Sequence, residues 1–248
     1  MNIALVVEYE GTRYHGSQIQ PIVPTIQGEL ERALMAATGE EIRTSYAGRT
    51  DQGVHAKGQV AAFHTDSPLT PNTIARALNY YLPDDIAIRN YYMVNDNFDP
   101  RRDALSREYC YYIWNSRSPS PLLRRSAFFI PRPLDIAAMN EACQAILGTH
   151  DFAPFASYLN GNRKTIRTIY QAMVTREGDL VSFHVVANSF LPHQVRNTTG
   201  ALVKVGLGKS DVTTFYEILK SKKPATAGPT LPPHGLCLLK VNYPGEVR

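Results

Sequence analysis

The chain has 248 residues, with 26 lysines and arginines against 22 aspartates and glutamates and a net charge of +4; that is enough to bury one large core or two modest ones, and the slight positive balance suits an anionic partner without naming one. The three cysteines, Cys110, Cys143 and Cys237, stand far apart in apolar settings, which excludes a disulfide-stapled secreted fold and reads as buried thiols in a reducing cytoplasm. No apolar run is long enough to span a bilayer and no charged-then-apolar leader opens the chain, so a soluble cytoplasmic protein with no membrane partner is expected.

Residues 2–9, rich in Val, Leu and Ile, predict a first strand ending at Glu10-Gly11-Thr12. A polar loop, Tyr14-His15-Gly16-Ser17-Gln18-Ile19-Gln20-Pro21, follows. Thr25 then caps a helix whose apolar residues Ile26, Leu30, Ala33, Leu34 and Ala37 recur at helical spacing until Gly39 stops it. Strands over 42–46 and 59–64 flank the string Ala47-Gly48-Arg49-Thr50-Asp51-Gln52-Gly53-Val54-His55-Ala56, which is therefore a loop. Thr70-Pro71 begins a second helix with Ile74, Ala77, Leu78 and Tyr81 on one face, ended by Pro83. A strand over 86–94 leads to Phe98-Asp99-Pro100-Arg101.

Ser106 to Trp114 alternates with period two, placing Tyr109, Tyr111 and Ile113 on one face of a strand and Cys110, Tyr112 and Trp114 on the other. The Ser-Pro-Ser-Pro stretch within 116–123 is the expected boundary, giving domains 1–115 and 116–248. Beyond it come a strand near 127–130, a helix over 135–147, a hairpin of strands 166–176 and 180–187 turned by Glu177-Gly178-Asp179, helices over 195–205 and 212–220, and a last strand at 236–243. Two halves that each mix strands and helices make an α+β fold with antiparallel sheets.

Chemistry concentrates on the 47–56 loop. It carries a carboxylate, Asp51, with the Arg49 guanidinium two residues before it and Gly48 and Gly53 to let the backbone turn. A neighbouring Arg stabilises an ionised Asp, which is how a carboxylate nucleophile is prepared. Thr50-Asp51-Gln52-Gly53 is equally a plain turn, with Gly at positive φ. Other constellations are sparse. The seven histidines show no His-x-x-x-His spacing and pair with no cysteines, so no metal is expected. Asp51 with His55 as an acid/base couple lacks an orienting third group. Without a Gly-rich phosphate loop, no nucleotide cofactor is expected. The clusters Lys220, Lys222, Lys223 and Arg163, Lys164, Arg167 read as solvated faces, or as phosphate contacts on an RNA-binding protein.

The ten-residue loop string resembles, almost letter for letter, the signature loop of the TruA family of tRNA pseudouridine synthases. Four further strings are similar to that family: the Arg-x-Tyr-x-Tyr pattern from Arg107, Gly148-Thr149-His150-Asp151-Phe152, Phe190-Leu191-Pro192-His193-Gln194-Val195-Arg196-Asn197, and Pro232-Pro233-His234-Gly235-Leu236. The resemblance implies that Asp51 is the catalytic nucleophile with Arg49 beside it, that Tyr109 stacks on the target base, and that Arg196 and Arg101 bind RNA. It further implies a pseudouridine synthase fold in which the two halves form one continuous sheet with a basic RNA cleft. The implied partners are the anticodon stem-loop of tRNA, modified at positions thirty-eight to forty, and a second copy of the chain in a homodimer. The implied cofactors are none. Ser17 stands where the family usually has Trp, and Asp99-Pro100 where relatives tend to have His-Ala. Two rival functions share this scaffold: a synthase acting on another RNA, and an RNA-binding protein without catalysis. The retention of Arg49, Asp51 and Tyr109 argues against the second.

Overall fold

The computed structural model describes residues 1–157 and 164–245. Arg163, grouped above with Lys164 and Arg167, lies outside the described residues. Two compact units emerge, Met1–Leu105 with Cys237–Arg248, and Ser106–Leu236. Each mixes strands with helices, so the fold class is α+β as expected.

In the first unit, β1 (Asn2–Tyr9) lies between β3 (His55–His64) and β4 (Ile86–Val94), antiparallel to both. Ile3, Ala4, Leu5 and Val7 are fully buried, as an interior strand with continuous apolar sequence should be. The short β2 (Ser45–Tyr46) pairs with β3, through Ser45 opposite Ala62 and Tyr46 opposite Ala61. On its far edge β3 takes β10 (Leu236–Asn242) in parallel, Cys237 beside His55 and Leu238 beside Ala56. Helix α1 (Ile26–Thr38) is capped by Thr25, whose hydroxyl accepts the Gly28 N–H, and ends at Gly39 with φ +77°. Its buried residues are Ile26, Leu30, Ala33 and Leu34. Helix α2 (Pro71–Tyr81) starts at Thr70 and Pro71 as expected, but its buried face is Ile74, Ala75 and Leu78. Tyr81, expected on that face, is exposed and meets Tyr80 edge-on, because the following Leu82 is buried in its place.

In the second unit, β5 (Ser106–Trp114) pairs antiparallel with β9 (Leu180–Ala187), and β9 with β8 (Ile166–Glu177), the expected hairpin. The outer partner of β8 is β7 (Gly148–Asp151), a strand without a sequence signal because Gly148 reads as a helix stop. A two-residue β6 (Phe128–Phe129) runs parallel to the end of β5. Helices α3 (Ile136–Ile146) and α5 (Val212–Ser221) are capped by Asp135 and Asp211, whose carboxylates accept the Ala138 and Thr214 N–H groups. Helix α4 (Gln194–Gly206) is buried along almost its whole length. Cys110, Cys143 and Cys237 are buried free thiols, and burial pushes the Cys143 thiol up to about 12.

Candidate active site

The 47–56 loop hangs between β2 and β3, and its two ends are tied where the strands begin: the Ala47 N–H donates to the Val60 carbonyl at 2.9 Å. At its tip the Val54 N–H returns to the Asp51 carbonyl at 3.1 Å, closing a four-residue turn over 51–54. Gly53 takes the third position with φ +77°, a left-handed conformation that glycine adopts without steric cost. The plain turn and the candidate nucleophile are thus the same residues. Asp51 sits partly exposed on the turn's first position, held by the backbone around it.

Most of that hold comes from the segment after β1. Ser17 is 1% exposed and makes two bonds to Thr50: its hydroxyl accepts the Thr50 N–H at 2.9 Å, and its own N–H donates to the Thr50 carbonyl at 3.1 Å. The Gly53 N–H donates to the Tyr14 carbonyl at 3.3 Å. Beneath them lies a buried polar network. The Tyr9 and Thr50 hydroxyls meet at 2.8 Å, and the Gln59 amide donates to the Gly48 carbonyl at 3.0 Å and reaches the Tyr9 hydroxyl at 3.5 Å. Burial pushes the Tyr9 hydroxyl up to about 12, so it stays protonated and available to these partners. Thr50, the residue next to Asp51, is therefore bonded through backbone and side chain together.

The place where this chain carries Ser17 in lieu of the family's usual Trp is thus occupied by a hydrogen-bonding clamp. Ser17→Ala leaves the backbone bond but strips the Thr50 N–H of its acceptor, and a buried unpaired donor costs about 1–3 kcal/mol. The expected result is a lower urea midpoint with Ser17→Thr close to wild type; equal midpoints for Ser17→Ala and wild type would contradict the clamp.

His55 is buried, and its Nδ1 accepts the Gly11 N–H at 3.0 Å. That nitrogen is committed to the backbone, so Nδ1 has no proton to offer an orienting group. Arg49 is exposed, and among the described residues it makes no ion pair with Asp51. A solvated guanidinium at a loop surface loses little by standing without a direct ion pair. Asp85 anchors the same segment from below: Arg13 and Tyr14 both bond its carboxylate, at 2.6 and 2.5 Å. Partial burial opposes the charge on Asp85, but these two partners together hold its carboxyl below the usual range.

Arg101 lies in a turn organised by Asp99, one of the family departures. The Asp99 carboxylate accepts the Arg101 and Arg102 N–H groups at 2.8 Å each, and those bonds hold it below the usual carboxylate range. The Tyr243 hydroxyl donates to the Pro100 carbonyl at 2.6 Å and its ring packs on Phe98. Asp99 and Pro100 therefore fix the backbone that presents an exposed Arg101.

In the second unit, the two candidates stand on rigid elements. Tyr109 is half-buried on β5, its ring edge-on to Phe190 with centroids 5.2 Å apart and planes at 88°. Such contact fixes a ring's plane. Two residues on, Tyr111 is a core residue with no exposed surface, and its hydroxyl donates to the Pro232 carbonyl at 2.8 Å. Arg196, in the first turn of α4, is pinned by its Nε to the Leu231 carbonyl at 2.7 Å. Burial raises the Tyr111 hydroxyl's pKa, and the charge of Arg196 pulls it the other way.

Among the described residues no cluster of His, Cys, Asp and Glu could hold a metal ion, and no helix is long and apolar enough to cross a membrane. The first unit carries a carboxylate on a bonded turn and the exposed Arg101, and the second an aromatic plane and the Arg196 guanidinium on fixed backbone. Comparison with known proteins agrees with the chemistry those groups suggest. A family model described as tRNA pseudouridine synthase matches residues 5–101 and 142–244. The chain is 45% identical to tRNA pseudouridine synthase A of Roseiflexus sp. (strain RS-1) over 251 residues, covering 99% of this chain and 92% of that protein. It is 41% identical to tRNA pseudouridine synthase A of Thermoanaerobacter sp. (strain X514), covering 98% of this chain and 99% of that one. With family matches on both sides of the Asp51 turn and on into the last strand, this chain belongs to the tRNA pseudouridine synthase family.

Proposed function

We propose that the protein isomerises uridine to pseudouridine at positions thirty-eight to forty of the tRNA anticodon stem-loop, acting in the cytoplasm as a homodimer and without a cofactor. The reaction breaks the bond from N1 to C1′, forms one from C1′ to C5, releases the C5 proton and protonates N1. It is redox-neutral and needs no group donor. What a protein must supply is a nucleophile or base, a way of holding the base while it is detached, and positive charge along the RNA backbone. Asp51 serves as the nucleophile, Arg49 accompanies it, Tyr109 stacks on the uracil, and Arg196 and Arg101 contact the RNA.

The observation that carries this reading is the Asp51 turn, whose backbone is bonded at Thr50, Gly53 and Val54 in a chain of this family. A nucleophile held within a fraction of an ångström loses little time to unproductive geometry. The test is tritium release from C5-labelled uridine in an anticodon stem-loop. Release from positions thirty-eight to forty is expected; silence across several tRNAs that the protein binds would overturn the reading. Arg49→Ala should lower kcat/KM by about 10²-fold, the size of effect expected for losing one charged group near the reacting atoms, with the melting temperature unchanged because Arg49 is exposed. An unchanged kcat/KM would remove Arg49 from the mechanism.

A further inference from the structure

Between β5 and β6 the chain makes an excursion that lies wholly outside the two blocks matched by the family model. It leaves at Trp114 and comes back at Phe128, which pairs with Ile113 while Phe129 pairs with Trp114. Ends that close together define an Ω-loop. Residues 115–134 contain Arg117, Arg124, Arg125 and Arg132 and not one Lys, Asp or Glu. All four arginines are exposed.

The loop is stiff. Its root is Asn115, 6% exposed, whose amide donates to the Ile130 and Arg132 carbonyls at 2.9 and 2.7 Å. The Asn115 side-chain oxygen accepts the Leu134 N–H at 3.2 Å and the Arg176 guanidinium at 2.5 Å. Trp114 Nε1 donates to the Ser118 carbonyl at 2.9 Å, and the N–H groups of Ser126 and Ala127 both turn back onto the Leu123 carbonyl. Pro119, Pro121, Pro131 and Pro133 limit the backbone further. Arg124 is braced against the Pro121 carbonyl at 2.8 Å. At the root, Asp135 follows the loop, and the Asp179 carbonyl in the β8–β9 turn accepts the Asn115 N–H. The outer surface of the loop is left cationic.

We infer that the 115–134 loop is an RNA-backbone contact in which Arg117, Arg124 and Arg132 engage phosphates away from the reacting uridine. The inference rests on the proposed tRNA substrate. An all-arginine, carboxylate-free surface matches phosphate through its planar donor forks. A loop already ordered before binding also loses little entropy in docking. Tyr109 and Trp114 lie on one strand, five residues apart, so the loop's root is about 17 Å from the proposed base-stacking ring at the usual rise per residue. Its contacts therefore fall on nucleotides other than the target and carry no base information.

The experiment compares wild type with Arg117→Gln/Arg124→Gln/Arg132→Gln and with the triple Arg→Lys variant. Binding to full-length tRNA is followed from 50 to 200 mM salt, alongside pseudouridine formation at saturating tRNA. The Gln variant should bind about 10- to 100-fold more weakly at physiological salt, with the salt slope reduced by about 2, since each phosphate contact contributes about 0.7–0.9 to it. KM should rise and kcat should not change. The Lys variant should keep the slope. Wild-type slope and affinity in the Gln variant, with wild-type enzyme active on tRNA, would overturn the loop inference alone, as would loss of the slope in the Lys variant. A wild-type protein that neither binds nor modifies any tRNA would overturn the substrate reading and this inference with it.

Discussion

Asp51→Asn is expected to bind the anticodon stem-loop as wild type does and to release no tritium from it, a fall in kcat of about 10⁴-fold or more, the scale seen when a nucleophile is removed. The substitution is the sharpest available because the asparagine side chain has the same shape and keeps the backbone carbonyl of residue 51 that closes the turn at 51–54. Geometry is preserved and only the charge and nucleophilicity are lost. Asp51→Glu makes the complementary point. It keeps the charge but displaces the carboxylate by about one methylene, and misplacement of that order costs about 10²-fold. Residual activity in Asp51→Asn above that of Asp51→Glu would mean that position, and not carboxylate chemistry, is what residue 51 supplies.

The second large effect concerns a residue that touches no substrate. A Cβ placed on Gly11 would lie 2.0 Å from the Val54 carbonyl oxygen and 2.7 Å from its carbon. Both are backbone atoms of the 47–56 loop, so no side-chain rotation relieves the overlap. The Gly11 N–H also holds His55, so residue 11 cannot move away without breaking that bond. Gly11→Ala should therefore cost about 3 kcal/mol or more. For a chain of this size that is a drop of roughly 6–12 °C in melting temperature, at about 2–4 °C per kcal/mol. Activity should fall as well, because the displaced backbone is the one that presents Asp51. Gly48→Ala, on the same loop, adds a Cβ with nothing within 4 Å and should leave the melting temperature unchanged. Equal thermal stability for the two variants would show that the contact between residues 11 and 54 is looser than the structure has it.

The 51–54 turn was legible in the sequence because its signals are local: an Asp at its first position and a glycine that takes positive φ fall within four residues. Its supports were not. Ser17, Tyr9 and Gln59 act on Thr50 and Gly48 across separations of 33, 41 and 11 residues, and nothing in a serine or a glutamine announces a partner that far away. The same division runs through the fold. Thr25 and Thr70 marked helix starts correctly because a cap is a short-range device. Strand β3 begins at His55, ahead of the expected residue 59, because Ala56, Lys57 and Gly58 have little intrinsic strand preference and are held by neighbours. Gly58 is there for closeness: a Cβ on it would sit 2.5 Å from the Leu239 carbonyl. Strand β2, expected over 42–46, shrinks to two residues. The 115–127 excursion looked like a linker, since Ser-Pro repeats carry no periodicity, and a buried asparagine at its root is not announced by them.

The parallel pairing of β10 with β3 at His55 and Ala56 has a consequence for biosynthesis. The whole of the second unit, residues 106–236, is translated between the exit strand of the Asp51 loop and the strand that completes its edge. Until then β3 presents an open edge at the residues next to the Asp51 turn, and contacts so distant along the chain form slowly. A nascent chain arrested within the second unit would display the Asp51 string without the strand beside it. The edge beside the Asp51 turn is thus completed only once the second unit has been synthesised.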